Sequence, residues 1–276
     1  MDELYIVARR VLLDALEAIG THRDAVVLVG AQAIYLRVGD AHLAVAPFTT
    51  DGDLAIEPAL LADIPPLEKA LAAAGFFPKT HDSVGVWITH RKTSLSVKTE
   101  VAVDLLVPRA VSPGTGRRSA RLPGHDSRAA RLVAGLEGAL VDSDIMPLCA
   151  LETADSRSFN IRVAGPAALL VAKVHKISER HGSERQVDKD ALDIVRLLRG
   201  TTTEDLAARY RRLLADERSK STAASGLTMF QDAFARKSSV GIEMAVRSAG
   251  SLVDPAELTT SCELLANDLL TLLRGS

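Results

Sequence analysis

The chain of 276 residues is long enough for one α/β domain with a smaller helical domain. Its formal net charge of −2 argues against bulk nucleic-acid binding as the main role and leaves room for a local basic groove. The two cysteines, Cys149 and Cys262, lack the spacing of a disulfide framework or of a zinc site. Finding no signal peptide and no long uncharged apolar stretch, we expect a cytoplasmic protein without a membrane partner.

The first part of the chain mixes helical and strand patterns. Apolar residues at helical spacing predict a helix over residues 4–19, and the β-branched run at residues 25–29 predicts a buried strand. Gly30 ends this strand, and a helix is predicted over residues 31–38. A loop-like segment then leads into a strand predicted over residues 52–57.

The middle of the chain is predicted to contain one helix, two β-hairpins and a basic loop. The helix covers residues 60–74 and is interrupted at Pro65-Pro66. Residues 109–131 are rich in Gly, Pro, Ser and Arg and are predicted to form a mobile, basic loop. The strands of the two hairpins are predicted at residues 84–89, 94–107, 145–151 and 159–163.

From Pro166 onward the sequence is helical by pattern, with a proline at the start of the first helix. Gly165-Pro166 therefore marks a domain boundary, which gives predicted domains of residues 1–164 and 165–276. The predicted helices cover residues 166–180, 188–198, 203–214, 227–248 with a weaker pattern, and 255–273.

Two aspartates stand one residue apart in Asp51-Gly52-Asp53. In a strand they share a face, where two carboxylates repel each other. A hard divalent cation, Mg²⁺ or Mn²⁺, is the commonest reason for such a pair, and a surface turn with two solvated acids is the alternative. Asp104 lies alone in an apolar strand, either as an edge acid or as a third carboxylate. If the two strands are neighbours, the three acids form a two-metal phosphoryl-transfer site.

The turn at Gly30-Ala31 is a candidate phosphate site. Glycine allows a close backbone approach, and the N-terminus of the following helix offers unpaired N–H groups to a phosphate. Turns of this kind also occur in any α/β protein, so the pattern alone does not decide the function.

A cationic face is predicted on the helix that follows Pro166. Lys173 and Lys176 share one face of this helix with Arg180, and Asp190 and Asp193 share a face of the next helix. One reading is a clamp on nucleotide phosphates, in which an acid orients a lysine or acts as a base. The other reading is a solvated charged face.

The order of these elements resembles the nucleotidyltransferase superfamily of the polymerase β type. There, a Gly-Ser or Gly-Gly turn and a helix precede an Asp-x-Asp motif, and a third acid lies on a later strand. The C-terminal half looks like the AbiEii/MenT toxin branch, which has a lysine-bearing helix followed by an Arg-Asp-x-x-Asp element. The matching positions here are Gly30-Ala31, Asp51, Asp53, Asp104, Lys173, Arg180, Lys189-Asp190 and Asp193.

The resemblance implies an α+β fold: a nucleotidyltransferase-like mixed β-sheet with flanking helices, followed by a helical C-terminal domain, with the nucleotide between them. It implies transfer of a nucleoside monophosphate from an NTP, with release of pyrophosphate and with Mg²⁺ or Mn²⁺ as cofactor. In characterised toxins of this branch the acceptor is a tRNA 3′ end, and a partner antitoxin neutralises the toxin. We therefore predict an RNA acceptor and a cognate antitoxin.

By position, the resemblance assigns a role to each candidate residue. Ala31 stands where the family has Ser or Gly, and Lys189 where it has Arg, which weakens two expected contacts. The predicted catalytic residues are Asp51, Asp53, Asp104, Lys173, Asp190 and Asp193, of which the first three are also the predicted metal ligands. The predicted nucleotide-binding residues are Gly30, Ala31, Thr50, Lys176, Arg180 and Lys189.

Within the basic loop, the segment from Arg117 to Arg131 is the predicted RNA contact, because arginines bind phosphates irrespective of sequence. Two other functions stay open. A small-molecule nucleotidyltransferase, acting for example on an aminoglycoside-like hydroxyl, needs no basic RNA surface and suits the near-neutral charge. A non-catalytic nucleotide-binding module on a degenerate core is the second alternative.

Overall fold

The structure, a computed structural model, describes residues 2–39, 41, 43–93, 97–112, 118–180, 182 and 187–275. Arg117 and the first residues of the strand predicted over 94–107 lie outside this part. No helix in the described part of the chain is both long and apolar enough to cross a bilayer.

One mixed sheet carries the first half of the fold. The strands are β1 (Val26–Val29), β2 (Asp51–Ile56), β3 (Phe77–Pro78), β4 (Val86–Lys92), β5 (Lys98–Pro108), β6 (Arg131–Val133), β7 (Ser143–Cys149) and β8 (Ser158–Ala164). Across the described residues these eight strands lie in the order β3-β4-β5-β2-β1-β8-β7, with β6 beside β5. β2 is parallel to β5 and antiparallel to β1. Both predicted hairpins appear as neighbouring strand pairs, β4 with β5 and β7 with β8.

Helix α1 (Glu3–Ile19) packs against β2. It begins where the Asp2 carboxylate accepts a hydrogen bond from the amide of Leu4 at 2.8 Å, as an N-cap does. Leu12 of α1 lies against Gly52, where any Cβ would come within 3.1 Å of the leucine side chain. Because alternate residues of a strand point to opposite faces, Asp51 and Asp53 point away from α1.

The remaining helices are α2 (Gly30–Val38), α3 (Leu67–Ala73), α4 (Pro166–Arg180), α5 (Lys189–Gly200), α6 (Thr203–Ala215), α7 (Lys220–Phe234), α8 (Val240–Ala249) and α9 (Pro255–Arg274). They confirm the predicted α+β class and the helical C-terminal region, and α4 has the predicted bounds.

Two helix predictions need correction. The helix predicted over residues 60–74 is only α3, because two prolines cannot continue the backbone ladder and Pro66 becomes the N-cap. The pattern at residues 227–248 belongs to two helices, α7 and α8, since Ser239 adopts an extended backbone (φ −75°, ψ 142°) between them. A single apolar periodicity does not reveal such a break.

The chain forms two compact units that do not follow its linear order. The first unit comprises Met1–Ala33, Pro47–Val133 and Ser143–Val163 and contains most of the sheet. The second comprises Ile34–Ala46, Ala134–Asp142 and Ala164–Ser276. In the second unit α4 packs against α5, α6 and α7. Two short segments from the part of the chain before Ala164 therefore belong with the C-terminal helices.

Candidate active site

The acids of the first unit lie on the sheet face away from α1. Asp51 begins β2, and its carboxylate accepts a hydrogen bond from the Thr49 hydroxyl at 2.6 Å. Asp53 lies opposite Val29 of β1 and opposite Asp104 of β5. Residues opposite each other in neighbouring strands share a face, so the three aspartates line one face of the sheet. The strand neighbourhood that the three-acid prediction required is present.

Gly30 links β1 to α2 in the left-handed backbone region, at φ +71°. A Cβ at this position would collide with the Asp53 carboxylate. Both the backbone conformation and the lack of space therefore require glycine. Among the other predicted phosphate contacts in this unit, Ala31 is buried at the start of α2, and Thr50 is exposed just before β2.

We expect Gly30→Ala to destabilise the fold by about 1–3 kcal/mol through backbone strain, plus the cost of displacing Asp53. Gly39→Ala is the matched control, because Gly39 also has positive φ (+59°) but nothing within 4 Å of a Cβ. Urea denaturation gives the free energy of unfolding of both variants, and the difference between them isolates the cost of the contact with the Asp53 carboxylate. Equal losses of unfolding free energy in the two variants would contradict a cost of this contact.

The Asp104 side chain is paired with an arginine. Its carboxylate forms an ion pair with Nη2 of Arg131, the first residue of β6. β6 runs parallel to β5 and places Arg131 beside Leu106. Accordingly, within the described residues no three His, Cys, Asp or Glu side chains are grouped as metal ligands. The three predicted ligands share a sheet face, but the third is held by an arginine.

Two buried polar residues that the sequence did not single out hold the start of β2. Gln32 donates to the backbone carbonyl of Asp51 at 2.9 Å and accepts from Nε of Arg9 at 2.8 Å. Arg9 is 2 % exposed and also donates to the carbonyl of Cys149 at 2.9 Å. An arginine on the apolar face of a predicted helix was the available signal, because such a residue is rarely buried without a partner.

In the second unit, a lysine joins two carboxylates inside the protein. Nζ of Lys173 lies 2.6 Å from Asp190 and 2.8 Å from Asp193. The three side chains are 6 %, 5 % and 0 % exposed, respectively. The structure therefore brings together the predicted second-unit residues as a buried ion-pair network, and their catalytic role stays a prediction.

The electrostatics of this network favour the charged forms. Burial lowers the pKa of Lys173, but the carboxylates of Asp193 and Asp190 outweigh it and raise that pKa above its ordinary value. Burial raises the pKa of Asp190, but Lys173 and Lys176 lower it to about 2. Lys173 consequently stays protonated at neutral pH and is not a general base in this conformation.

The stability that Asp190 provides should depend on pH. A depressed folded-state pKa stabilises the protein above the unfolded value near 4, and the contribution is lost as the pH falls toward 2. We expect the difference in unfolding free energy between the wild type and Asp190→Asn to shrink by roughly 2 kcal/mol between pH 5 and pH 2. Urea titrations across this range measure it. A difference in unfolding free energy that stays constant between pH 5 and pH 2 would contradict the lowered pKa of Asp190.

A buried arginine extends the network. Arg196 is 1 % exposed, lies 3.6 Å from Asp193 and donates to the carbonyl of Val45 at 2.6 Å. Its guanidinium also stacks 5.3 Å from the ring centroid of Tyr35, whose hydroxyl donates to Asp193 at 3.3 Å. These contacts tie α5 to both ends of the short segment Ile34–Ala46.

The cations predicted to bind the nucleotide have different environments. Lys176 donates to Asp190 at 3.0 Å and has 39 % of its side chain exposed, so a ligand can reach it. Nζ of Lys189 lies 5.8 Å from the ring centroid of Tyr35. Arg180 is half-buried at the end of α4.

A sequence profile of a family described as nucleotidyltransferase matches residues 9–217, well over half of the chain. The chain belongs to this nucleotidyltransferase family. Among solved structures it is similar to an antigenic nucleotidyltransferase-like protein from Paracoccidioides brasiliensis, with 14% identity over 82% of this chain and 93% of that chain and a TM-score of 0.41. No curated protein matches. Membership of the AbiEii/MenT branch stays a prediction.

Family membership makes the protein an enzyme that uses a nucleoside triphosphate, and the non-catalytic alternative is dropped. Its acids suit a divalent cation chemically, because Asp51 and Asp53 offer hard oxygen ligands from one strand face. One oxygen of the third carboxylate, Oδ2 of Asp104, is engaged by Arg131.

The basic segment of the nucleotidyltransferase is more ordered than predicted. Residues 118–131 are irregular but packed: the Trp87 indole donates to the carbonyl of Ala129 at 2.9 Å, and Arg128 donates to that of His81 at 2.7 Å. Arg131 belongs to the sheet. Arg118 and Arg121 are exposed, whereas Arg117 lies outside the described residues. The loop prediction is corrected for this part, and RNA contact stays a prediction.

Proposed function

We propose that this nucleotidyltransferase moves a nucleoside monophosphate from an NTP to an RNA, at a tRNA 3′ end, as the toxin of a toxin–antitoxin pair. The observation that carries the transfer chemistry is the row of Asp51, Asp53 and Asp104 on one sheet face beside the Gly30 turn. The sequence resemblance to the toxin branch supports the acceptor and the antitoxin.

In this proposal Asp51 and Asp53 hold Mg²⁺ or Mn²⁺, and Asp104 joins them. The bound cation would offset negative charge on the phosphates and lower the pKa of the attacking hydroxyl. Gln32 fixes the backbone of Asp51, and Thr49 orients its carboxylate, so the first ligand is positioned from two sides. Gly30 lets the triphosphate approach the first turn of α2, whose unpaired amides favour an anion.

The second-unit residues are proposed to act around Lys173. Lys173 is buried and holds Asp190 and Asp193 in fixed positions, while Lys176 is the member of the cluster that a phosphate can reach. Arg180 and Lys189 would add positive charge beside it. A lysine and an arginine bind phosphate by charge and hydrogen bonds in any sequence context.

A small-molecule acceptor is the second candidate. Two arginines of the proposed RNA-binding segment are engaged within the protein, Arg131 by Asp104 and Arg128 by Asp126 and His81. Fewer free cations on this segment, together with the net charge of −2, favour a neutral acceptor over a polyanion.

The test is incorporation of labelled nucleotides. The protein is incubated with each α-³²P-NTP, Mg²⁺ and total RNA, and a parallel set contains γ-³²P-NTPs. We expect the α label, and not the γ label, to enter tRNA-sized RNA, because pyrophosphate leaves. Label in a small-molecule fraction would support the second candidate. No incorporation into RNA from any NTP would overturn the RNA-directed proposal.

The toxin role is tested separately. Induced expression of the wild type should arrest growth, and co-expression of the protein encoded by a neighbouring gene should relieve the arrest. Normal growth with full RNA labelling in vitro would remove the toxin role and leave the transferase intact.

A further inference from the structure

We infer that the sheet face with the three aspartates also binds the unpaired end of the RNA acceptor, through an aromatic ring and lysines on β3, β4 and β5. The inference rests on the proposed transfer to RNA and names the surface that would hold that RNA. We call this surface the stacking patch, and it comprises Phe77, Lys79, His90, Lys92 and Lys98.

The strand register places the stacking patch on the face of the aspartates. β4 pairs with β5 in an unbroken register that puts Lys92 opposite Lys98. Lys98 and Asp104 are an even number of positions apart on β5, so both lysines share a face with Asp104. The other face meets α1, since Arg91, next to Lys92 on β4, pairs with Asp14 of α1 at 2.6 Å.

The Phe77 ring is the part of the stacking patch on which a base can stack. Phe77 lies opposite Ile88 of β4 and stacks on His90, with ring centroids 5.4 Å apart and an angle of 26° between the rings. The histidine supports the phenyl ring, and Phe77 is still 43 % exposed. An exposed aromatic ring on a sheet surface suits an unpaired base, because every base offers a π-face whatever the sequence.

The lysines of the stacking patch suit a polyanion. Lys92 and Lys98 are exposed and stand directly opposite each other, where like charges repel and a phosphate would offset the repulsion. Lys79 pairs with Glu100 at 3.0 Å, but these side chains are 51 % and 41 % exposed. Such an exposed pair contributes little, so a phosphate can share Lys79 at small cost. Three lysines and one glutamate give this end of the face a positive charge that complements a nucleic-acid backbone.

A row of opposing residues connects the stacking patch with the acids. It crosses four neighbouring strands in the order Phe77, Ile88, Ala102 and Asp51. Neighbouring strands lie about 4.8 Å apart, so Phe77 is about 15 Å from Asp51. At about 3.4 Å per stacked nucleotide, this distance corresponds to about four nucleotides. An RNA with its 3′ hydroxyl at the acids therefore reaches the patch, whereas a small-molecule acceptor does not.

Fluorescence anisotropy with two labelled RNA hairpins tests the ring without reference to activity. One hairpin has an unpaired 3′ extension of about four nucleotides, and the other has the same stem with a blunt end. We expect Phe77→Leu to weaken binding of the extended hairpin about tenfold, because base stacking is lost, and to leave binding of the blunt hairpin unchanged. Phe77→Tyr keeps the ring and should bind both hairpins like the wild type. Equal affinity of the wild type and Phe77→Leu for the extended hairpin would overturn the inference.

The double variant Lys92→Gln/Lys98→Gln tests the charges and gives an independent answer if Phe77→Leu does not fold. Its affinity for the extended hairpin should depend less on salt: the slope of log affinity against log salt should fall by about 1.4, since each phosphate contact with a single strand contributes about 0.7. Lys69→Gln is the matched control, because Lys69 is exposed on α3, which packs against α1. An unchanged slope in the double variant would overturn the inference.

The inference and the proposed function fail differently. If the wild type labels RNA and both Phe77→Leu and the lysine double variant label it with the wild-type KM for RNA, the acceptor binds elsewhere and only the inference fails. If the wild type neither binds nor labels RNA, the proposed RNA acceptor fails and the inference falls with it.

Discussion

Asp53→Asn is expected to reduce nucleotidyl transfer by about 10³-fold or more while leaving the protein folded. Cation binding contributes several kcal/mol to transition-state charge stabilisation, and ~4 kcal/mol corresponds to this factor. Asp53 is the central acid of the three, opposite Asp104 and against Gly30. Asparagine has nearly the same shape, so the contact with Gly30 is kept while the charge is lost.

The measurement is the rate of α-³²P-NTP incorporation at saturating Mg²⁺, with thermal unfolding as the check on folding. Asp82→Asn is the matched control, since Asp82 is 97 % exposed and lies outside the acid row. We expect the control to retain the wild-type rate. A folded Asp53→Asn protein with more than a tenth of the wild-type rate would remove Asp53 from the proposed metal site.

Lys173→Met is expected to have the largest effect on stability, a loss of about 3–5 kcal/mol. The substitution leaves Asp190 and Asp193 as two buried carboxylates without their shared cation. Asp190 keeps Lys176 and Asp193 keeps Arg196, but the loss of the cation closest to both leaves much of their mutual repulsion and desolvation uncompensated. Methionine fills the space of the lysine stem. Urea denaturation at pH 7 measures the loss.

Lys176→Met provides the comparison, because Lys176 also binds Asp190 but is 39 % exposed. A partly exposed ion pair is expected to contribute less than about 1 kcal/mol. Adding Asp193→Asn to Lys173→Met should restore part of the stability, since one of the two stranded charges is removed. Similar losses for Lys173→Met and Lys176→Met would show that burial does not set how much each lysine stabilises the network.

The fold was predictable from the sequence where local patterns of residues determine an element. Helix α4 was predicted with its observed bounds because Pro166 fixes its start. The strands of Asp53 and Asp104 were predicted from apolar runs, but their pairing was only a condition of the three-acid prediction, because local patterns do not show which strands are neighbours. α7 and α8 were merged, because five residues between two helices with similar periodicity leave the pattern almost unbroken.

The partners and the burial of the site residues were harder to predict than the acids themselves. Arg131 begins a strand of three residues, too short to show alternation, and its partner Asp104 lies 27 positions earlier. The spacing of Lys173 and Lys176 correctly placed them on one helix face. Spacing does not reveal burial, however, so a lysine enclosed by two acids and a lysine open to solvent looked alike in the sequence.

The packing of Gly52 against Leu12 affects how a saturation mutagenesis screen of this chain should be interpreted. Substitutions larger than alanine at Gly52 insert a side chain against Leu12 of α1. For these substitutions the three consecutive positions 51, 52 and 53 should all score as intolerant in a growth or transfer screen. The outer two would fail through lost chemistry and the middle one through lost soluble protein. Abundance scores for the same library would separate the causes, and without them Gly52 would be mistaken for part of the active site.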